Sequence, residues 1–354
     1  MRSKPTSPVS LLSVATAVPP HLLAQDEARE LARRLFGHRM PHFDRLAPVF
    51  GNAGVATRRI AMPPAWYCQD HGWRSRNDAY LAVAEQLYIE AAAKALDEAG
   101  VPADAVDTLV TVSTTGIATP SLEARVAERM GFRHDAQRVP VFGLGCAGGV
   151  TGLALAARLA RAQPGATVLF VAVELCSTSI RLDVVSKANI VATALFGDGA
   201  AACVLKGEDT GGCARVGEGG EITWPGTLGI MGWDVDDPGL GVIFDRAIPP
   251  FVTEHMGDGV SRILGSLGLD RGDVARFICH PGGAKVLSAL ECSLALAPGA
   301  LDHERMVLGR YGNMSAPTVL FVLREAIVAG LIGPSLLLAL GPGFTASALE
   351  IRPA

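Results

Sequence analysis

Three widely separated side chains carry the chemistry this sequence offers: Cys146, His280 and Asn313. Cys146 lies in Phe142-Gly143-Leu144-Gly145-Cys146-Ala147-Gly148-Gly149, after an apolar run and before a helix-like one. A strand, a tight turn and a helix lift a side chain out of a sheet, as in a nucleophile elbow. The glycines permit the turn and leave room beside the sulfur. A helix N-terminus favours an anion, which would lower the thiol toward the attacking thiolate. A buried structural cysteine fits the same residues. His280 follows the apolar run Ala275–Cys279 and precedes Pro281-Gly282-Gly283. At a strand end facing a cleft, its imidazole would take the thiol proton and form a thiolate–imidazolium pair. Alone, it also reads as a core histidine satisfied by backbone. Asn313 lies in Gly309-Arg310-Tyr311-Gly312-Asn313-Met314-Ser315 and offers uncharged donors to an oxygen turning negative. Alone, it also suits a turn or a helix N-cap. Brought to one cleft, the three are a nucleophile, a base and an oxyanion donor, which is the equipment of acyl transfer through a covalent thioester.

The same segment spells G-x-G-x-x-G through Gly143, Gly145 and Gly148, and Glu174 closes the next strand, where a dinucleotide fold places its ribose-binding acid. That pattern describes an NAD(P)-dependent oxidoreductase. The elbow is the better reading for three reasons. The match sits in mid-chain after a complete α/β segment. A cysteine has no use inside a pyrophosphate loop. And the dinucleotide reading gives His280 and Asn313 no role.

The elements that must position these residues alternate along the chain. Strands are expected at 108–113, 139–142, 167–173, 201–205, 277–279 and 336–340. Helices are expected at 79–99, 121–130, 149–162, 251–267, 284–295 and 316–329. Short apolar strands between amphipathic helices belong to sheets covered on both faces. Four landmarks then recur. Ala99-Gly100 ends one helix and Leu267-Gly268 another, 168 residues on. The strands that follow run into Ser113-Thr114-Thr115-Gly116 and His280-Pro281-Gly282-Gly283, with Gly116 and Gly283 167 residues apart. The turns of Cys146 and Asn313 stand at the same 167, and Ala166–Leu175 matches Pro334–Gly343 at 168. Such spacing predicts an internal duplication. Two α/β halves, 1–208 with the nucleophile and 209–354 with His280 and Asn313, would pack as one five-layered body. Equivalent turns would aim Cys146 and Asn313 at the cleft between halves, and His280 would face the same place.

Composition narrows the function classes. The 354 residues are 49% apolar, enough for a large core, and a net charge of −4 leaves no basic footprint for nucleic acid. The seven cysteines are Cys68, Cys146, Cys176, Cys203, Cys213, Cys279 and Cys292. Odd in number, with no CxxC and no zinc spacing, they point to a reducing cytoplasm and to no metal site. Arg2 and Lys4 before the apolar run Val9–Val18 imitate a signal peptide. Ser10, Ser13 and Thr16 interrupt that run and Pro19-Pro20 stops it, so a buried first strand is expected. Val319–Leu340 contains Arg324, Glu325 and Pro334 and is too broken to span a membrane.

Taken together, GLGCAGG, CHPGG, RYGNMS, ALFGDGAA and the terminal GPGF resemble the type III polyketide synthases, the chalcone synthase-like enzymes. The resemblance runs from Leu11 to the C-terminus. STTGIATPS, ELCS and SKANIVATALFGDG make it most similar to the bacterial long-chain alkylpyrone and alkylresorcinol synthases. It implies a thiolase-like fold with two duplicated α/β halves in an αβαβα arrangement. It also implies a homodimer, a Cys146-His280-Asn313 triad, and no bound organic cofactor or metal. An acyl-CoA, fatty in the most similar members, would load Cys146. Malonyl-CoA would decarboxylate, and His280 and Asn313 would hold the enolate oxygen while its carbon attacks the acyl thioester. Repeated cycles and ring closure would release a pyrone or a phenol.

The resemblance also assigns the surroundings. Phe196 matches the gatekeeper phenylalanine between tunnel and cavity; it equally suits the core. The second gatekeeper position falls at Val242, so that phenylalanine is expected to be missing. Cys176, Ser179, Ala192 and Ser315 match cavity-lining positions, with Thr114, Glu174 and Gly282 beside the site. Cys176 and Ser179 replace threonines of plant chalcone synthases, and small side chains imply room for a long acyl starter. Thr119 stands where plant members place a methionine that reaches the partner subunit's cavity, and Pro120 keeps the pattern. Arg45 is the candidate cation for coenzyme A phosphates, or a solvated surface residue. A β-ketoacyl-ACP synthase III shares fold and triad but condenses once and uses a carrier protein; GLGCAGG and GNMS favour the polyketide enzyme. An inactive interaction module of this fold would not need an intact triad.

Overall fold

The computed structural model describes residues 8–354; Arg2 and Lys4 lie outside them. The chain opens with β1 (Ser10–Ala17), then the short pair β2 (His21–Ala24) and β3 (Thr57–Ile60), which enclose α1 (Gln25–Phe36), α2 (Phe43–Leu46) and α3 (Pro48–Asn52). The first half continues through α4 (Trp73–Ala99), β4 (Thr108–Val112), α5 (Leu122–Met130), β5 (Gln137–Val141), α6 (Gly148–Ala162), β6 (Thr167–Leu175), α7 (Lys187–Leu195) and β7 (Asp198–Lys206). The second half runs through β8 (Ala214–Thr223), the hairpin β9 (Met231–Asp236) and β10 (Gly239–Phe244), α8 (Ile248–Ser266), β11 (Arg276–Cys279), α9 (Ala284–Ser293), α10 (Asp302–Tyr311), α11 (Ala316–Ala329), β12 (Ser335–Gly341) and β13 (Thr345–Arg352).

The duplication is written in the strand order, β11-β12-β13-β8-β1-β7-β6-β4-β5. Read outward from the β8–β1 junction, each half repeats the same sequence of equivalent strands, and β5 alone has no counterpart among the described residues. The halves are sutured where Ser10 pairs with Arg215 and Leu11 with Ala214. α6 and α11 pack on each other in the middle and touch strands of both halves. They are apolar nearly all round, which is why they form the buried layer. α4 and α5 cover the first-half strands from outside; α8 packs on β8 and β13, with α9 beside it. The result is the expected αβαβα stack.

Three features differ from expectation. β5 was expected to be covered on both faces, but it is the edge of the sheet, half exposed, and the Phe142 that follows it is 58% exposed. The long strands β8 and β13 have weaker apolar signals, because Gly217, Gly219 and Gly220 dilute β8 and Glu350 breaks β13. And β9–β10, turned at Asp237-Pro238-Gly239, form a two-stranded sheet of their own. The run Val9–Val18 is the buried β1, as expected. Among the described residues no helix is long and apolar enough to cross a membrane.

Candidate active site

Cys146 occupies the single turn of 3-10 helix, Gly145–Ala147, that joins β5 to α6. Gly145 has φ of 47°, and a Cβ there would lie 2.7 Å from Pro342 Cδ, so backbone and space both demand glycine. Its N–H donates to Thr114 Oγ1 at 3.2 Å. One turn on, a Cβ at Gly149 would lie 2.2 Å from the carbonyl oxygen of Ala316. The glycines therefore serve a strained turn and the close approach of α6 to α11. No pyrophosphate cradle is left, and Glu174, fully buried, is not presented to a ribose. The dinucleotide reading ends there.

The pseudo-equivalent turn carries Asn313, 1% exposed. Its Oδ1 accepts the Ser315 N–H at 2.8 Å, which turns its amide nitrogen toward the cleft. That nitrogen lies 4.0 Å from Cys146 Sγ and 3.5 Å from the Gly282 carbonyl. Ser315 has φ of 59°, a strained value for a residue with a side chain, at the N-cap of α11. Backbone bonds lock Asn313 to the Phe196 segment: its N–H donates to Leu195 O and its carbonyl accepts from Gly197 N–H, both at 2.9 Å. His280 extends β11, with its N–H donating to Leu338 O at 2.7 Å. Its imidazole is buried and neither ring nitrogen has a hydrogen-bond partner among the described residues. It lines one cavity with Cys146 and Asn313.

Burial governs the charges. It pushes the Cys146 thiol up to about 11, against the contacts from Ser315 and Asn313, and the His280 imidazole down to about 3. The empty site thus rests as a neutral thiol beside a neutral imidazole, not as the thiolate–imidazolium pair expected from helix position. Glu174 sits behind the nucleophile. One of its oxygens accepts the N–H groups of Thr114 and Thr115 at 2.9 and 3.0 Å and the Thr115 hydroxyl at 2.8 Å. Burial still raises its carboxyl to about 7.

Two apolar cavities meet at Cys146, Met231 and Phe244. One runs past His280, Gly282 and Asn313 toward Val286 and Leu290. The other runs past Phe196, Cys176 and Ser315 to Trp233 and Val242. Val242 is indeed aliphatic, yet Phe244 lies two residues along the same strand, on the same face. Its ring meets that of Phe196 edge to face, with centroids 6.3 Å apart at 85°. Position 242 thus lacks a phenylalanine, as expected, and an aromatic contact to Phe196 comes instead from Phe244. Phe244, Met231 and Trp233 were missed because no motif marks them; the only signal was a Pro-Gly turn between two short runs.

The remaining candidates divide. Thr114 holds the Cys146 turn. Ala192, buried on α7, accepts the Phe196 N–H at 2.8 Å and lines neither cavity. Ser179 also lines neither; its hydroxyl donates to Thr115 O at 3.4 Å. Thr119 is exposed in the loop beside the β5 edge, and Arg45 is exposed on α2. Neither reaches the space around Cys146.

Comparison with known proteins agrees with this geometry. Residues 67–209 match the N-terminal domain of chalcone and stilbene synthases, and residues 221–353 match the C-terminal domain. A 1,3,6,8-tetrahydroxynaphthalene synthase of Streptomyces peucetius subsp. caesius is 42% identical, over 97% of this chain and 93% of that protein. A 3,5-dihydroxyphenylacetyl-CoA synthase of Streptomyces toyocaensis is 29% identical, over 84% of this chain and 80% of that one. The crystal structure of 1,3,6,8-tetrahydroxynaphthalene synthase from Streptomyces coelicolor A3(2), a bacterial type III polyketide synthase, superposes with a TM-score of 0.91. It is 30% identical and covers 97% of this chain and 99% of its own. With both family domains matched in order around one Cys-His-Asn cleft, the chain belongs to the chalcone and stilbene synthase family and is a type III polyketide synthase, an acyltransferase-type condensing enzyme.

Proposed function

We propose that the enzyme loads an acyl-CoA starter on Cys146, extends it repeatedly with malonyl-CoA, and closes the product to an alkylpyrone or alkylresorcinol. The carrying observation is the pair of apolar cavities that meet at Cys146. An apolar lining favours an acyl group over a polar one, at roughly 0.8 kcal/mol per methylene that it covers. In the first step the neutral His280 takes the thiol proton as Sγ attacks the thioester carbonyl, and coenzyme A leaves as its thiol with a proton. Malonyl-CoA then loses carbon dioxide. The electron pair left behind forms an enolate, whose oxygen is held by Asn313 Nδ2–H and by the N–H of the neutral His280 imidazole. Its carbon attacks the acyl thioester and displaces the Cys146 thiolate. The chemistry needs no metal or organic cofactor. Arg45 is a candidate for the coenzyme A phosphates. The exposed β5 edge, with Phe142 and Ile117 beside it, is where we place a homodimer contact, with Thr119 near it.

A second reading has its own support. The 42% identical relative is named for a tetrahydroxynaphthalene, a product with no alkyl tail, and Trp233 fills part of one cavity here. Mass spectrometry of products from [13C]malonyl-CoA, alone and with acyl-CoAs of increasing length, separates the two. Tailed pyrones or resorcinols that retain the unlabelled starter support the first reading. A fully labelled naphthalene product, with long starters ignored, would replace it with the second.

A further inference from the structure

The short strand β3 lies outside the nine-stranded sheet, yet it buries an arginine. Arg58 is 2% exposed. Its guanidinium gathers the carbonyls at the end of α7, which the helix itself leaves unpaired. Nη1 donates to Thr193 O at 2.7 Å and to Phe196 O at 3.0 Å, and Nη2 donates to Ala194 O at 2.8 Å and to Gln25 Oε1. Gln25 Nε2 in turn donates to Ala194 O at 3.0 Å. The chain that leaves α7 is the one bonded to Asn313 through Leu195 and Gly197. The Cβ of Arg58 lies against Gly197 and against Gly312, the residue before Asn313, 3.3 Å from where a Cβ on Gly197 would be and 3.6 Å from one on Gly312. Desolvation lowers Arg58 to about 10 and Asp198 opposes that, so it stays cationic at neutral pH.

We propose that Arg58 is a positioning residue for the condensation: it fixes the C-terminus of α7 and, through the Leu195–Gly197 bridge, sets the Asn313 amide and the Phe196 ring against Cys146. The inference rests on the reading that Asn313 holds the enolate oxygen. The geometry calls for a guanidinium. A planar fork reaches carbonyls of residues 193, 194 and 196 at once, whereas an ammonium presents its donors from one point. A merely structural cap would lower stability without touching the step that Asn313 serves.

The test is Arg58→Lys, alone and combined with Asn313→Ala, assayed for malonyl-CoA decarboxylation without starter and for alkylation of Cys146 by iodoacetamide. Arg58→Lys should cost about tenfold in kcat, with KM and alkylation within about twofold. In the Asn313→Ala background it should cost less than about twofold more, because it acts through that residue. An undiminished kcat, or the full loss repeated in the Asn313→Ala background, overturns the proposal. Gln25→Ala, a milder lesion of the same cluster, should give the same pattern at about threefold if Arg58→Lys does not fold. Hydrogen exchange reads the link without turnover: peptides over 193–197 and 312–316 should both exchange faster in the variant, and unchanged exchange at 312–316 overturns it. Coupled faster exchange in the variant, together with no decarboxylation by the wild-type enzyme, would instead sink the polyketide reading of the site.

Discussion

Cys146 feels two opposed influences. The start of α6 favours a thiolate, and the apolar surroundings disfavour any charge. With the thiol raised to about 11 and His280 lowered to about 3 by burial, the proton rests on sulfur in the empty site. This sets a measurable profile. The rate at which iodoacetamide alkylates Cys146 in the empty enzyme should climb about tenfold per pH unit from pH 7 to 10, following the thiolate fraction. A plateau reached below pH 8 would mean a preformed ion pair. That Cys146, His280 and Asn313 meet at one cavity was legible in the sequence, because motifs and a near-constant 167-residue spacing mark them. Their protonation was not, because desolvation depends on side chains from distant segments, such as Phe244 and Leu338, that only folding assembles around the site.

Under the proposed function, the element placed to shape product choice is the β9–β10 hairpin, whose Met231, Trp233, Val242 and Phe244 line the cavities at Cys146. Trp233 and Val242 are directly paired across it, and both face the cavity that holds Cys176 and Ser315. Trp233→Ala should widen that cavity and shift products toward longer starters or further extensions. Val242→Phe should crowd it and shorten them. Product mass distributions check both, and unchanged distributions in both variants would remove the hairpin from control of chain length. The helices and strands of the repeat were readable as apolar periods. This hairpin was not, since Gly232, Asp234, Asp236 and Gly241 blur its alternation and it belongs to neither repeated sheet.

At the scale of the whole molecule, burying acids in a tightly packed, duplicated α/β core costs stability at neutral pH. Glu304 is fully buried and accepts the Cys279 N–H at 2.9 Å, and burial raises its carboxyl from 4.5 to about 7. Between those values the folded state keeps a proton that the unfolded chain releases, so stability falls as pH rises and the penalty is complete above about 7. Glu304→Gln should therefore gain on the wild type by about 3 kcal/mol between pH 4 and pH 8 in denaturant titrations; a pH-independent difference would show that Glu304 is ionised throughout. The duplicated architecture was legible from spacing, and the suture of its halves through β1 and β8 was not, because two pairs of residues leave no periodic trace. What the architecture does is bring two equivalent turns to one cleft, and the most direct test is intact-protein mass spectrometry after mixing with an acyl-CoA. The account predicts one acyl adduct, mapped to Cys146, absent in Cys146→Ala and consumed when malonyl-CoA is added. An adduct that persists in Cys146→Ala, or one that malonyl-CoA leaves untouched, would contradict it.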